Sequence, residues 1–359
     1  TEPLSSGKKL LKRCFRLMRE VTVLVTACGN VYMPGTAASL KNNGERKIRL
    51  IGADMNHDDT ILQMFDQYYQ VPRGDDPSYA DALLDICVKE QVDVVIPIMS
   101  VELETLAKNA DKFQKAGVAL SVSSLESLKI ANNKLALFQF MQENGIPAPK
   151  FQAVNFVEDV DSAIAHIGVP VVFKTNEGSG SRGMRIIDPS KSRFDILFHE
   201  KPTSAYVTLQ DFKETLQEGD MPKMLAMEYL PGHEYTVDML CEKGKVLYSL
   251  CRRGLNVQTS IILDGIVEDK PEITNLCAMV AEKLKLTGNI GFDVKERADG
   301  TPVIMECNPR ATAGISEFTA SGANLLYLNI KRCLGEPLPE LTPKYGVIMK
   351  RRYQEMYWG

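Results

Sequence analysis

Gly288-Asn-Ile-Gly-Phe-Asp-Val-Lys-Glu-Arg-Ala-Asp-Gly-Thr-Pro-Val-Ile-Met-Glu-Cys-Asn-Pro-Arg310 is two alternating runs joined by Asp299-Gly300, a pattern that predicts a β-hairpin. A two-residue loop sets Ala298 against Thr301 and, counting back along the ladder, Asp293 directly opposite Glu306. Like charges so placed repel. Asn308 lies two residues beyond Glu306, so the period of two puts Asp293, Glu306 and Asn308 on one face and Phe292, Val294, Met305 and Cys307 on the other. Two carboxylates and a carboxamide are the hard oxygen ligands Mg²⁺ takes beside nucleotide phosphates, and a cation removes the repulsion. A lone acid on a strand would simply face water. Here Pro309-Arg310 follows at once and a glycine-serine loop lies upstream, which favours a metal platform.

That loop is Lys174-Thr-Asn-Glu177-Gly178-Ser179-Gly180-Ser181-Arg-Gly183, between predicted strands at 169–174 and 184–187. Its backbone N–H groups can fold over phosphate oxygens, since glycine allows close approach and serine adds donors. Strand–loop–strand is not the strand–loop–helix of a P-loop, and GxxxxGK[ST] is absent. Taken alone, the loop reads equally well as a plain hairpin turn.

From 21 to 122 short apolar strands (21–26, 48–52, 93–97) alternate with helices (34–43, 78–91, 101–115), which implies a parallel sheet covered on both faces. A helix over 124–144, interrupted near Asn132-Asn133, ends at Gly145-Ile-Pro-Ala-Pro149. Further strands are expected at 224–229, 234–241 and 246–251, a turn at Asp264-Gly265, helices at 271–285 and 316–334, and a last strand at 347–351. The fold class is therefore α/β joined to α+β. Its expected divisions are a segment 1–20, an α/β domain 21–122, a two-lobed domain 123–340 (lobes about 150–227 and 228–340) and a strand with tail 341–359.

A chain of 359 residues, 44% hydrophobic and 25% charged, can bury a large core. The net charge of −4 argues against general nucleic-acid binding. No apolar run approaches the roughly 20 residues of a membrane helix, and no apolar signal core opens the chain, so no membrane span and a cytoplasmic location are expected. Eight scattered cysteines and four histidines lack zinc or iron spacing. Residues 1–20 are basic and amphipathic, read as a docked helix in preference to a membrane-surface one.

Asn132-Asn-Lys134, the lysine with its Gly-Ser loop, Glu228-Tyr229-Leu230-Pro-Gly-His-Glu234-Tyr-Thr-Val-Asp238 and Gly-Phe-Asp293…Met-Glu306-Cys-Asn308-Pro-Arg310 together resemble the ATP-grasp superfamily. Carbamoyl phosphate synthetase large-chain domains and stand-alone carboxylate–amine ligases of pyrrolysine type are the nearest look. The resemblance implies that Lys134 and Lys174 reach ATP phosphates under the loop 177–183, that Glu228, Tyr229 and Leu230 clamp adenine, and that Glu234 takes the ribose. It also implies that Asp293, Glu306 and Asn308 hold Mg²⁺, for which Mn²⁺ can substitute, that Arg310 stabilises the transferring phosphoryl group, and that Arg252 or Arg253 gathers substrate carboxylate or γ-phosphate, a structural salt bridge being the equal alternative. Small-molecule carboxylate and amine substrates follow. Two readings stay beside it: a half enzyme phosphorylating bicarbonate or carbamate, paired as a homodimer or with a partner, and a nucleotide-binding regulator without turnover. The chain departs from many relatives at Thr175-Asn176, where they carry Pro and Arg, and at Leu255-Asn256, where they carry Gly-Gly.

Overall fold

The computed structural model describes residues 19–178, 180–258 and 261–352. The expected helix over 1–20, the tail beyond 352 and Ser179 therefore lie outside the described residues, but for Arg19 and Glu20. No helix among those described is long and apolar enough to cross a membrane.

Strands β1 (Val21–Thr26), β2 (Ile48–Asp54), β3 (Gln67–Gln70), β4 (Val94–Ile96) and β5 (Ala119–Leu120) form one parallel sheet in the order β3-β2-β1-β4-β5. Alternate residues of β1 enter separate cores. Val21, Val23 and Val25 pack with the helices Met33–Lys41 and Leu325–Cys333, while Leu24 joins Ile51 and Val95 against the helix Tyr79–Glu90. The continuous apolar runs read from sequence are thus a sheet covered on both sides. Between β1 and β4 the strand order reverses, which leaves a crevice at their carboxyl ends.

The next sheet is antiparallel, β6-β9-β7-β8, from β6 (Phe151–Val154), β7 (Val171–Thr175), β8 (Arg185–Ile187) and β9 (Met224–Glu228). The helices Asp159–Ile167 and Leu209–Leu216 close its core through Val160, Ala163 and Phe212. The Gly-Ser loop joins β7 to β8, strand–loop–strand as expected.

The third sheet runs β14-β13-β10-β11-β12-β15, from β10 (Glu234–Glu242), β11 (Lys245–Gln258), β12 (Ile261–Glu268), β13 (Gly288–Glu296), β14 (Pro302–Asn308) and β15 (Ile348–Lys350). The helix Pro271–Lys283 packs on one face through Ile273, Cys277 and Val280, against Val237, Phe292, Val294 and Cys307. The seven described cysteines are unpaired, and six of them are buried.

Several expectations need correction. Asp264-Gly265 is no turn: both lie inside β12, paired with β11 and β15. A Cβ on Gly265 would meet Ile262 at 3.0 Å and Glu317 at 3.2 Å, so this glycine serves close approach. The helix read over 316–334 is two, Ser316–Ala320 and Leu325–Cys333, and that over 101–115 breaks at Asn109. Strand β11 runs seven residues past the expected end at 251.

Candidate active site

The hairpin pairs Asp293 with Glu306, as expected, by a different route. Its loop has three residues, with Gly300 at φ 84° and Arg297 exchanging hydrogen bonds with Thr301 and Gly300. That shifts the register by one at Glu296–Pro302. A bulge at Met305 shifts it back, since Val294 faces Ile304 while Asp293 faces Glu306.

A cavity of about 300 Å³ lies over these residues, lined by Lys134, Lys174, Asp293, Glu306, Asn308 and Arg310. Asp293 accepts a hydrogen bond from Thr236 Oγ1 (3.1 Å) and one from the Asn308 amide (3.0 Å). Burial, then Glu306 and Glu234, push its carboxyl up to about 7. The Lys134 ammonium sits 3.5 Å from Glu306 and donates to the Gly178 carbonyl at 3.1 Å. It starts the helix Lys134–Glu143, whose N-cap Asn133 accepts from the Ala136 N–H and donates its amide to Glu177. Lys174 ends β7; burial and the neighbouring Lys134 push its ammonium down, against the pull of Glu306, Glu234 and Asp293. Arg310 is held by Ser100 Oγ, the Ala311 carbonyl and the Asn308 side chain, each at 3.0–3.1 Å.

The loop over this cluster has positive φ at Gly178, Gly180, Ser181 and Gly183, and it buries no side chain from 177 to 183 among the described residues. An exposed loop of small residues with left-handed backbone is the arrangement that suits a phosphate cradle. Gly178, Gly180 and Ser181 line the cavity. Ser179 lies outside the described residues.

Not every expected residue comes to this place. Arg253 is one residue from Arg252 on β11, so it points to the opposite face of the sheet and pairs with Glu268 at 2.8–2.9 Å. It lines neither cavity, and the guanidinium turned inward is Arg252. Glu228 has its carboxylate on Arg297 (2.6 and 2.9 Å) and on the Lys150 N–H, Leu230 is buried in the core, and Tyr229 lies under the Lys295 ammonium. Glu234 is 3.9 Å from Lys295, and its charge acts on both Lys174 and Asp293.

Sequence reasoning missed several lining residues: Tyr32 after β1, Arg182 in the loop, Thr312 and Gly314 beyond the hairpin, and Arg351 after β15. No local pattern marks them, because topology alone brings them together. A second cavity of about 720 Å³ fills the crevice above β1, β2 and β4 and shares Asn30, Met99, Gly178, Arg182 and Glu306 with the first.

Among the described residues no three His, Cys, Asp or Glu side chains gather as a metal site. For Mg²⁺ that is no obstacle, because this ion is commonly held by one or two carboxylates together with substrate phosphates and water. Two opposed acids, one of them raised to about 7, beside a carboxamide are a donor set that fits it.

Residues 220–355 match the family described as ATP-grasp in the biosynthetic pathway with Ter operon, and residues 23–121 match the PylC-like N-terminal domain. The carbamoyl phosphate synthase large chain of Clostridium acetobutylicum is 26% identical over 286 residues, 76% of this chain and 25% of that one. The chain thus spans about a quarter of the length of the curated relatives it matches. The N5-carboxyaminoimidazole synthetase of Staphylococcus aureus, complexed with ADP, shares the fold at TM-score 0.67 and 15% identity, over 89% of this chain and 78% of that one. So does the L-amino acid ligase of Bacillus licheniformis, at 0.64 and 16%, over 88% and 75%. With these two matched regions in the expected order, the chain carries an ATP-grasp region at 220–355 behind a PylC-like N-terminal domain at 23–121.

Proposed function

We propose that the protein is an ATP-dependent carboxylate–amine ligase. The observation that carries this reading is the single cavity in which Lys134, Lys174 and Arg310 face the opposed Asp293–Glu306 pair. ATP is the nucleotide, with Asp293, Glu306 and Asn308 holding Mg²⁺, which would neutralise phosphate charge. A substrate carboxylate oxygen attacks the γ-phosphorus, the bond to ADP breaks, and an acyl phosphate forms. An amine then attacks the acyl carbon, phosphate leaves and the amine loses a proton, giving an amide.

The side chains act by position and charge. Lys134 and Lys174 meet the phosphates, Arg310 meets the charge that builds on the transferring group, and the loop 177–183 keeps water from the acyl phosphate. No nucleophilic side chain is needed. The adenine and ribose roles of Glu228, Tyr229, Leu230 and Glu234 belong to this proposal, carried by strand backbone in the case of Glu228, whose carboxylate is engaged with Arg297. The second cavity, opening on Glu306 from the carboxyl ends of β1, β2 and β4, gives the amine a way in.

A second reading rests on the carbamoyl phosphate synthase relatives, of whose length the chain spans about a quarter: phosphorylation of bicarbonate or carbamate, with a partner or a second copy. An ADP-release screen of carboxylates crossed with amines, with bicarbonate and ammonia as one pair, separates the two. Pair-dependent ADP release that disappears in Glu306→Gln, with the circular dichroism spectrum unchanged, is the expected result. ADP release from no pair would sink both enzymatic readings.

A further inference from the structure

The cavity holds more positive charge than ATP chemistry uses. Besides Arg310, three guanidinium groups line it: Arg182 of the Gly-Ser loop, Arg252 and Arg351. Arg252 is almost wholly buried and held from behind by Asp238 (3.2 Å) and Thr312 (3.0 Å), with Glu317 at 3.9 Å from its Nε. It lies flat against Gly314, where a Cβ would come within 2.4 Å of the guanidinium carbon. Arg351 donates to the Ala313 carbonyl at 2.7 Å, and its guanidinium sits 4.4 Å from the centre of the Tyr32 ring. Among the described residues no carboxylate forms an ion pair with it. Burial and the neighbouring charge of Arg252 push its ordinary value down, against the smaller pull of Tyr32 and of Glu317, the acid that also lies beside Arg252.

Such an arrangement costs free energy in the empty protein and is relieved by an anion. Paired guanidinium groups, one fixed by a buried acid and one stacked on an aromatic ring, are preorganised to take a carboxylate. Met33, Ile98 and Ile262 line the same cavity, apolar contacts that suit methylene groups, among polar side chains such as Asn30 and Thr36.

We propose that the Arg252–Arg351 end of the cavity is a second anion subsite, which holds a spectator carboxylate while the reacting one meets Arg310. The inference rests on the ligase reading and narrows it: the carboxyl substrate is a dicarboxylate with a short aliphatic bridge. Bicarbonate, a single small anion, cannot fill both places.

The test is calorimetry on the protein loaded with Mg²⁺ and the non-hydrolysable analogue AMP-PNP. Succinate, glutarate and adipate are titrated beside butyrate, valerate and hexanoate, into wild type, Arg351→Met and Arg351→Lys. One dicarboxylate of the series should bind at least ~10-fold tighter than every monocarboxylate, about the worth of one charge-assisted contact. Arg351→Met should erase that preference and Arg351→Lys restore part of it, which a merely structural residue would not do. Equal affinity for both series in wild type, or equal weakening of both in Arg351→Met, overturns the subsite. The titration needs no turnover. A dicarboxylate preference without ADP release would sink the ligase reading alone, and ADP release with butyrate and glutarate alike would sink the subsite alone.

Discussion

Two acid pairs lie on the same face of the third sheet and differ in where their cation comes from. Asp238 and Glu317 close on Arg252, an internal cation, and all three are buried. Asp293 and Glu306 face each other across β13 and β14, with the charges of Lys174 and Arg310 acting on them and, among the described residues, an ion pair only from Lys134 to Glu306 at 3.5 Å. Burial raises both members of the first pair above their ordinary values, against the pull of Arg252. Asp293 is raised to about 7, with Glu306 among the causes. The first pair is a structural strut behind Arg252, and the second, on the proposed function, is the place for a cation and phosphates.

That difference can be broken most sharply through stability. Removing one partner of a buried ion pair leaves the other uncompensated, so Asp238→Asn should lower the unfolding free energy by about 3 kcal/mol, the low end for such changes because Glu317 stays near Arg252. Glu306→Gln should move the urea midpoint far less, since loss of its charge relieves Asp293. Similar midpoints for both variants would mean that the two pairs are not of different kinds.

Arg310 stands between the pairs, with Glu306, Asp293 and Asp238 all acting on its charge. If it serves the transition state, Arg310→Ala should cut kcat by ~10²-fold or more, the loss typical of one electrostatic stabiliser, with nucleotide affinity by calorimetry nearly unchanged. Parallel losses in affinity and kcat would instead make it a binding residue.

How much of this was legible in the sequence depended on how local the signal was. Asp293, Glu306 and Asn308 were readable because strand alternation is a period-two rule, and even there the register came out right through two compensating departures, a three-residue loop and a bulge at Met305. The parallel sheet was readable because its strands are apolar on both faces. Arg252 and Arg253 could not be told apart, since nothing before the fold says which face of β11 looks inward. Asp264-Gly265 read as a turn because the pair is a turn signal when no partner strand is known, and β12 gains its partners from Lys245–Gln258 and Ile348–Lys350. Tyr32, Thr312 and Arg351 meet only through the packing of sheets that are far apart in sequence.

The acid pairs should also part in their response to pH. A carboxyl whose folded value is raised holds its proton in the fold, so its contribution to stability is fully present below the unfolded value near 3.8 and is lost as pH rises through about 7. A bound cation reverses this by taking the proton's place. With ADP present, Mn²⁺ affinity should therefore fall by up to about tenfold per unit as pH drops below 7 and level off above it, one proton being displaced per ion. A flat profile from pH 6 to 8 would remove Asp293 from the ligand set.

The smallest effect expected is in the cover over the second pair. The strut is buried, whereas the cavity pair lies beneath a loop whose described side chains are all exposed or half-exposed from 177 to 183, tied down by Lys134 to the Gly178 carbonyl, by Asn133 to the Glu177 carboxylate and by Thr175 Oγ1 to the Glu177 carbonyl, among other contacts. Few apolar anchors mean a low local opening free energy. Phosphates would add acceptors and charge where packing is missing, and amides at Gly178, Gly180, Ser181 and Gly183 should then exchange about tenfold more slowly with Mg²⁺ and AMP-PNP than without, one tenfold step being about 1.4 kcal/mol. Amides of β13 and β14 should change little, because that hairpin is already paired and packed. Equal protection of the loop in both states would leave it an ordinary turn, and the phosphates would then have to be held by Lys134, Lys174 and Arg310 alone.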